Sequence, residues 1–286
     1  MRTWYVTGDF HGHWENFATR LAKCEGENPA LIVLGDAGFN FYLNKTDKKL
    51  KQRVCASGIE IYCVRGNHEQ RPELVEGVIL AFDPEVDNTV YYEPEYPNIK
   101  YFRDGATYRL NGKRTLVIGG AYSVDKWYRL QRGWTWFENE QLSPEEMGQI
   151  QNENHGESFD FVLSHTCPVS WEPTDLFLTG LDQSTVDNSM EVWLEEFKDQ
   201  FNWGIWLFGH FHANRMVRPN VEMYYHEVDS LENIIARWDR YDNDMYRVPG
   251  LGAKMYVINF DSKKDDRVTQ TNIETSLKRL ATPDTD

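Results

Sequence analysis

Ala30-Leu31-Ile32-Val33-Leu34-Gly35-Asp36 is five apolar residues ended by a glycine and a carboxylate. A short run that is apolar on both faces suits a strand covered on both sides, as in a parallel sheet, and not a half-exposed one. The same form recurs along the chain. Thr3–Thr7 runs into Gly8-Asp9, Ile59–Val64 into Arg65-Gly66-Asn67-His68, Phe159–Leu163 into Ser164-His165, and Ile205–Phe208 into Gly209-His210. Helical patterns lie between the early runs. Trp14–Lys23 spaces Trp14, Phe17, Ala18, Leu21 and Ala22 as one helix face does, and residues 45–57 form a second, more polar helix. Strand, polar turn, helix, strand describes an α/β fold. In such sheets chemistry gathers beyond the carboxyl ends of the strands, which is where these polar residues stand.

The middle of the chain is expected to be different. Tyr101-Phe102, Thr107–Leu110 and Thr115–Ile118 read as short strands, with Asn111-Gly112 as a hairpin turn between the last two. Ser143-Pro144-Glu145-Glu146 carries the signals of a helix start: a serine cap, proline first and glutamate third. Further on, Glu222–Glu227 and Met255–Phe260 are strand-like, residues 229–252 read as a charged insertion, and 281–286 as a frayed end. No Pro/Gly/Ser linker or repeat divides the chain, so residues 1–286 are expected to form a single domain.

The 286 residues include 45 Asp plus Glu against 30 Lys plus Arg, a formal net charge of −15. Such a surface repels a nucleic-acid backbone at long range and argues against a non-specific DNA binder. It does not oppose a small phosphorylated substrate, because bound cations reverse the local field. Four cysteines, Cys24, Cys55, Cys63 and Cys167, show no C-x-x-C spacing, which fits a reducing, cytoplasmic setting. No apolar run approaches the roughly 20 residues that cross a bilayer, and the first residues enter a strand without a signal-peptide pattern. No membrane association is expected, and the oligomeric state is left open.

Five of the eight histidines, His11, His68, His165, His210 and His212, fall at or just after a strand end beside Gly, Asp, Asn or Ser. One such histidine signifies little, since most are hydrogen-bonded structural or surface residues. Their conjunction with carboxylates is more specific. Asp9-Phe10-His11 and His210-Phe211-His212 each place two donors on one side of an extended segment, while Asp36, Asn67 and His165 end other strands. Carboxylate, amide and imidazole donors together suit borderline divalent cations, manganese first, with Fe, Zn, Ni or Co as alternatives. Two such ions form a clamp for phosphoryl chemistry, and Asp36 is a carboxylate able to bridge them.

Gly8-Asp9-x-His11-Gly12, Gly35-Asp36-x-Gly38, Gly66-Asn67-His68-Glu69, Ser164-His165 and Gly209-His210-x-His212 together resemble the calcineurin-like metallophosphoesterase superfamily, with all five blocks in the family's order. The resemblance implies a four-layer α/β/β/α sandwich with its active site on strand-end loops. It implies that Asp9, His11, Asp36 and His212 hold one metal, that Asp36, Asn67, His165 and His210 hold a second, and that Asp36 bridges. It implies further that a metal-bridging hydroxide attacks the phosphorus. His68 would then be catalytic, as general acid or charge stabiliser, and not a ligand. Ile118-Gly119-Gly120-Ala121 and His165-Thr166-Cys167-Pro168 are similar to stretches in prokaryotic and phage members.

The chain departs from the Ser/Thr protein phosphatase branch, which reads G-D-x-V-D-R-G after its second strand. Phe39 stands where that branch has a carboxylate to orient the histidine, and Asn40 where it has a phosphate-gripping arginine. Glu69, adjacent to His68, points to the opposite side in an extended segment. Replacement grips are sought in Arg71 and Arg129, with Lys126 and Arg132 as further cations, against the alternative that these are solvated surface groups. Trp127, Trp134 and Trp136 are candidates to wall a substrate pocket or simply to pack, and Cys167 is expected as a small buried residue and not a ligand. The expected activity is hydrolysis of phosphomonoesters or small phosphodiesters. A nuclease, a cyclic-nucleotide phosphodiesterase and a metal-free binding scaffold are the alternatives.

Overall fold

The computed structural model describes residues 2–177 and 182–246, with side chains through residue 241. In chain order the elements are β1 (Trp4–Thr7), α1 (Trp14–Leu21), β2 (Ala30–Leu34), α2 (Lys45–Cys55), β3 (Glu60–Val64), β4 (Ile79–Asp83), β5 (Asn88–Tyr92), β6 (Ile99–Tyr101), β7 (Thr107–Leu110) and β8 (Lys113–Ile118). They continue with α3 (Lys126–Gln131), α4 (Pro144–Glu153), β9 (Ser158–Ser164), α5 (Ser189–Gln200), β10 (Asn202–Phe208), β11 (Arg215–Arg218), β12 (Val221–Met223), β13 (Asp229–Ser230) and α6 (Leu231–Tyr246).

Two mixed sheets result. The seven-stranded sheet runs β13-β1-β2-β3-β6-β5-β4 and the six-stranded sheet β11-β12-β10-β9-β8-β7. Each has a parallel centre: β1, β2, β3 and β6 in the first, β8, β9, β10 and β12 in the second. Alternation along β2 shows why its run is apolar throughout. Ala30, Ile32 and Leu34 face the space between the sheets, where they meet Phe161 and Leu163 of β9 and Ile205 and Leu207 of β10. Leu31 and Val33 face outward, under Phe17 and Leu21 of α1 and Leu50 and Val54 of α2. The six-stranded sheet is covered likewise: Ile118, Val162 and Phe208 lie beneath Met147 and Ile150 of α4 and Met190, Leu194 and Phe197 of α5. The layers are therefore α/β/β/α, with buried apolar surface in each of the three spaces between layers.

Local signals behave as expected at α4, where the Ser143 hydroxyl accepts from the Glu146 amide (3.2 Å) and the Glu146 carboxylate accepts from the Ser143 amide (2.8 Å), satisfying two donors that a helix start leaves free. The β7–β8 hairpin turns at Asn111-Gly112, both with positive φ. Two regions differ from the sequence expectation. Residues 229–246, expected within a charged insertion, supply β13, which pairs antiparallel with β1, and α6, whose Leu231, Ile234 and Trp238 enter the inter-sheet core. Of the 222–227 segment only Glu222 and Met223 are in a strand, β12 (Val221–Met223). The remainder of the expected insertion (247–252), the strand-like 255–260 and the frayed end 281–286 lie outside the described residues. All four cysteines are free, and Cys167 is buried in the outer core of the six-stranded sheet. Among the described residues no helix is long and apolar enough to cross a membrane.

Candidate metal centre

The parallel strands of both sheets present their carboxyl ends to one place. Asp9 and His11 follow β1, Asp36 follows β2, Asn67 and His68 follow β3, His165 follows β9, and His210 and His212 follow β10. Main-chain hydrogen bonds tie these turns together. The amides of Phe10 and His11 donate to Asp36 O (3.0 and 2.8 Å), and the Gly209 amide donates to His165 O (3.0 Å). Arg20 of α1 anchors the first turn from below through Gly8 O (2.8 Å) and Asp9 O (2.9 Å). His11, Asp36, His210 and His212 all have φ between 51° and 67°, a left-handed conformation uncommon outside glycine and concentrated at functional sites. Glycine is needed where the turns touch. A Cβ on Gly66 would stand 1.9 Å from Asp36 Oδ1, and one on Gly35 would stand 1.9 Å from His165 Nδ1.

The side chains converge as the turns do. Potential ligand atoms lie within 4.8 Å of one another in three sets: Asp9, His11 and His212; His11, Asp36 and His68; and Asp9, Asp36 and His165. Asp9, Asp36, Asn67 and His165 form a buried floor, His11, His68 and His210 are half-buried, and His212 is exposed at the mouth. His11 Nε2 and His212 Nε2 are 2.8 Å apart. His165 Nε2 is 3.6 Å from Asp36 Oδ1.

A test of fit for a cation comes from the orphaned acceptors. His165 Nδ1 is 2.7 Å from Leu34 O. Burial lowers the His165 pKa and keeps the ring neutral with a single proton; a carbonyl only accepts, so that proton is on Nδ1 and Nε2 is a bare lone pair. That lone pair faces Asn67 Oδ1 at 2.8 Å, while the Asn67 amide nitrogen points the other way, to Ser123 Oγ (2.8 Å). Two acceptors thus converge with no proton between them. Asp9 Oδ2 is buried without a hydrogen-bond partner among the described residues. Burial, then the Asp36 carboxylate, push the Asp9 carboxyl well above its usual range. Burial acts in the same direction on Asp36, but His165, His68, His11 and the His68 amide outweigh it and hold Asp36 low. Convergent oxygen and nitrogen lone pairs around repelling carboxylates are what a divalent cation requires.

His68 lies beside this cage. Its amide donates to Asp36 Oδ1 (2.8 Å) and its ring meets His11 edge-on (centroids 4.9 Å). Its Nε2 is 3.0 Å from Nη2 of Arg129. A guanidinium can only donate, so Nε2 accepts and the imidazole proton sits on Nδ1. Burial, with Arg129 and His11 acting in the same direction, lowers the His68 pKa to about 4 despite Asp36. Arg129, expected as a phosphate grip, is therefore a buried partner of His68. It is also held by Asp125 (2.9 Å), Thr135 O (3.1 Å) and Ser123 Oγ (2.7 Å). Arg71 is not brought to the cluster by any of its described contacts. Its guanidinium, expected as a phosphate grip, bonds Glu146, Asn139 O and Gln141 O. Lys126 lies over Trp136 (4.2 Å) and Arg132 over Tyr128 (4.5 Å). Trp127 and Trp134 are exposed, whereas Trp136 donates to Glu140 Oε2 (2.9 Å). Phe39 is buried and stacks near Phe17 (5.1 Å), and Asn40 accepts from Lys51 Nζ (2.6 Å). Arg20, Ser123 and Glu140 had no signal in the sequence, being single residues far from any block they support.

A four-layer sandwich with carboxylates, an amide and imidazoles gathered where two parallel sheets end defines a metal-dependent hydrolase. Residues 3–214 match the calcineurin-like phosphoesterase family, and the chain belongs to that family. It is a metal-dependent phosphoesterase. Among solved structures, phosphopantetheinyl hydrolase (PptH) from Mycobacterium tuberculosis aligns at 14% identity over 78% of this chain and 88% of that chain, with a TM-score of 0.39. No curated protein matches the chain.

Proposed function

We propose that this site holds two divalent cations, manganese first among them, and hydrolyses a small phosphomonoester or phosphodiester. Asp9, His11, Asp36 and His212 would hold one ion, and Asp36, Asn67, His165 and His210 the other. The observation that carries this reading is the proton-free approach of Asn67 Oδ1 to His165 Nε2 at 2.8 Å, beside the unpartnered Oδ2 of Asp9. When bound, the cations supply Lewis acidity, drawing charge from phosphate oxygens and activating water near neutral pH. His68 keeps its proton on Nδ1 and offers a neutral N–H donor to the phosphate, which favours charge stabilisation over proton donation from Nε2. Arg129 holds that tautomer and places a positive charge behind the ring, favouring negative charge that develops in front of it. The four free cysteines support a reducing compartment such as the cytoplasm.

Elemental analysis of the purified protein, with rates on p-nitrophenyl phosphate, its bis ester, cyclic nucleotides and single-stranded DNA, tests the reading. Two divalent ions per chain and turnover of the small esters are expected. A protein that neither carries nor titrates divalent metal would establish the scaffold alternative. Preference for the polynucleotide would establish a nuclease, against the expectation from a net charge of −15.

A further inference from the structure

Asn67 is the one amide among the seven proposed ligands, and an amide has two unlike ends. Its oxygen can bind a cation and its NH2 cannot. We infer that Ser123 and Glu140, with Arg129, form a positioning device that locks Asn67 with Oδ1 turned into the cage and Nδ2 turned out of it. The inference rests on the two-cation reading and deepens it.

The direction of every hydrogen bond in the network is forced from its ends. Arg129 can only donate, and its Nη2 donates to Ser123 Oγ (2.7 Å). Both Glu140 oxygens meet N–H donors, the Ser123 amide at Oε1 (3.0 Å) and Trp136 Nε1 at Oε2 (2.9 Å), so the carboxylate is the acceptor and takes the Ser123 hydroxyl proton at Oε2. The hydroxyl has one proton, now assigned to Glu140, and two lone pairs, one assigned to Arg129. The remaining lone pair requires a donor, and the atom 2.8 Å away is Asn67 Nδ2. With Nδ2 so engaged, Oδ1 faces His165 Nε2. Without the device the amide could turn over and give its N–H to that nitrogen. This would satisfy both groups with no cation and occupy a ligand position with a donor.

Glu140 is itself fixed. Trp136 Nε1 donates to Oε2 (2.9 Å), and Arg65 Nη1 donates to Glu140 O (2.7 Å). Ser123 and Glu140 are 1% and 3% exposed, so water does not compete for these directions. None of the three residues is among the seven proposed ligands. Ser123 and Glu140 act through Asn67, and Arg129 through Ser123 and His68.

Mn2+ titration calorimetry on the full chain tests the inference, with circular dichroism as the folding check. Ser123→Ala removes the acceptor. Glu140→Gln keeps the volume but leaves one acceptor oxygen for the Ser123 hydroxyl, the Ser123 amide and Trp136 Nε1, so the hydroxyl proton is no longer locked away from Asn67 and the reversed amide becomes available. Wild type should bind two ions, and each variant should bind one of the two about 10- to 100-fold more weakly, the range typical of residues that orient a metal ligand. In an Asn67→Asp background, where the two oxygens are equivalent, adding Ser123→Ala should change affinity less than twofold. Affinities within twofold of wild type in both single variants would overturn the inference. So would an equal loss from Ser123→Ala with Asp at position 67, which would mark a merely structural serine. If Ser123→Ala does not fold, Glu140→Gln decides alone. A wild-type chain that binds no pair of Mn2+ ions fails at an earlier and separate step, the metal reading itself, and takes this inference with it.

Discussion

In the middle of β9, Phe161, Val162 and Leu163 are buried among apolar side chains of the neighbouring layers, whereas His165, just past the end of that strand, is as deeply buried among carboxylates, an amide and a carbonyl. The same contrast holds between Leu34 and Asp36 beyond β2. Mid-strand burial removes apolar surface from water and stabilises the fold. At the strand ends, burial sets Asp9 against Asp36 and leaves lone pairs facing each other, which is unfavourable until a cation arrives. One set of strands thus carries both the stability and the proposed metal site, separated by two or three residues along each chain segment.

That contrast can be broken by measurement. Phe161→Ala should lose about 3–5 kcal/mol of unfolding free energy, the usual cost of removing a buried phenyl ring. Denaturant titration would show it, and a loss under 1 kcal/mol would mean the inter-sheet core does not dominate. Mn2+ at 100 times its dissociation constant should add about 2.7 kcal/mol per site. A thermal midpoint unmoved by manganese or by chelator would leave the strand ends without their proposed role. Ser143→Ala, which removes the α4 cap far from the chemistry, should lose about 1 kcal/mol and leave turnover unchanged. The smallest change in stability should come from Asp9→Asn. Burial and the Asp36 carboxylate push the Asp9 carboxyl well up, so in the metal-free chain this variant removes the disfavoured buried charge while leaving an oxygen for the His210 amide, and stability should equal or exceed that of wild type. The same variant should forfeit the manganese stabilisation and the activity, and a large loss of metal-free stability would contradict the comparison.

Most of the frame was legible because buried parallel strands announce themselves by unbroken apolar runs, and the five blocks at their ends carry donors of matching chemistry. The α4 start and the Asn111-Gly112 turn were legible from local chemistry. Other parts were less so. The β4–β5 hairpin is an exposed edge in which Ile79, Leu80 and Phe82 face solvent, so its pattern carries no inside and outside. Helix α6 was obscured by its charges, although Leu231, Ile234, Ile235 and Trp238 keep helical spacing. The contacts of Arg129 with His68 and of Ser123 with Asn67 span 61 and 56 residues and follow from where β8 and the turn before α3 deliver the chain. No local pattern encodes that placement.

The proposed ligands come from two sheets that share no main-chain ladder: Asp9, Asp36 and Asn67 from one, His165 and His210 from the other. With those ligands, the gap between the sheets would act as a gauge for a bound ion. Its width near the cage is set by Val6, Leu34, Leu163 and Leu207, which pack between the layers and bear no ligand atom. Trading bulk at those positions would tune the radius of the accepted ion while every coordinating side chain stayed as it is.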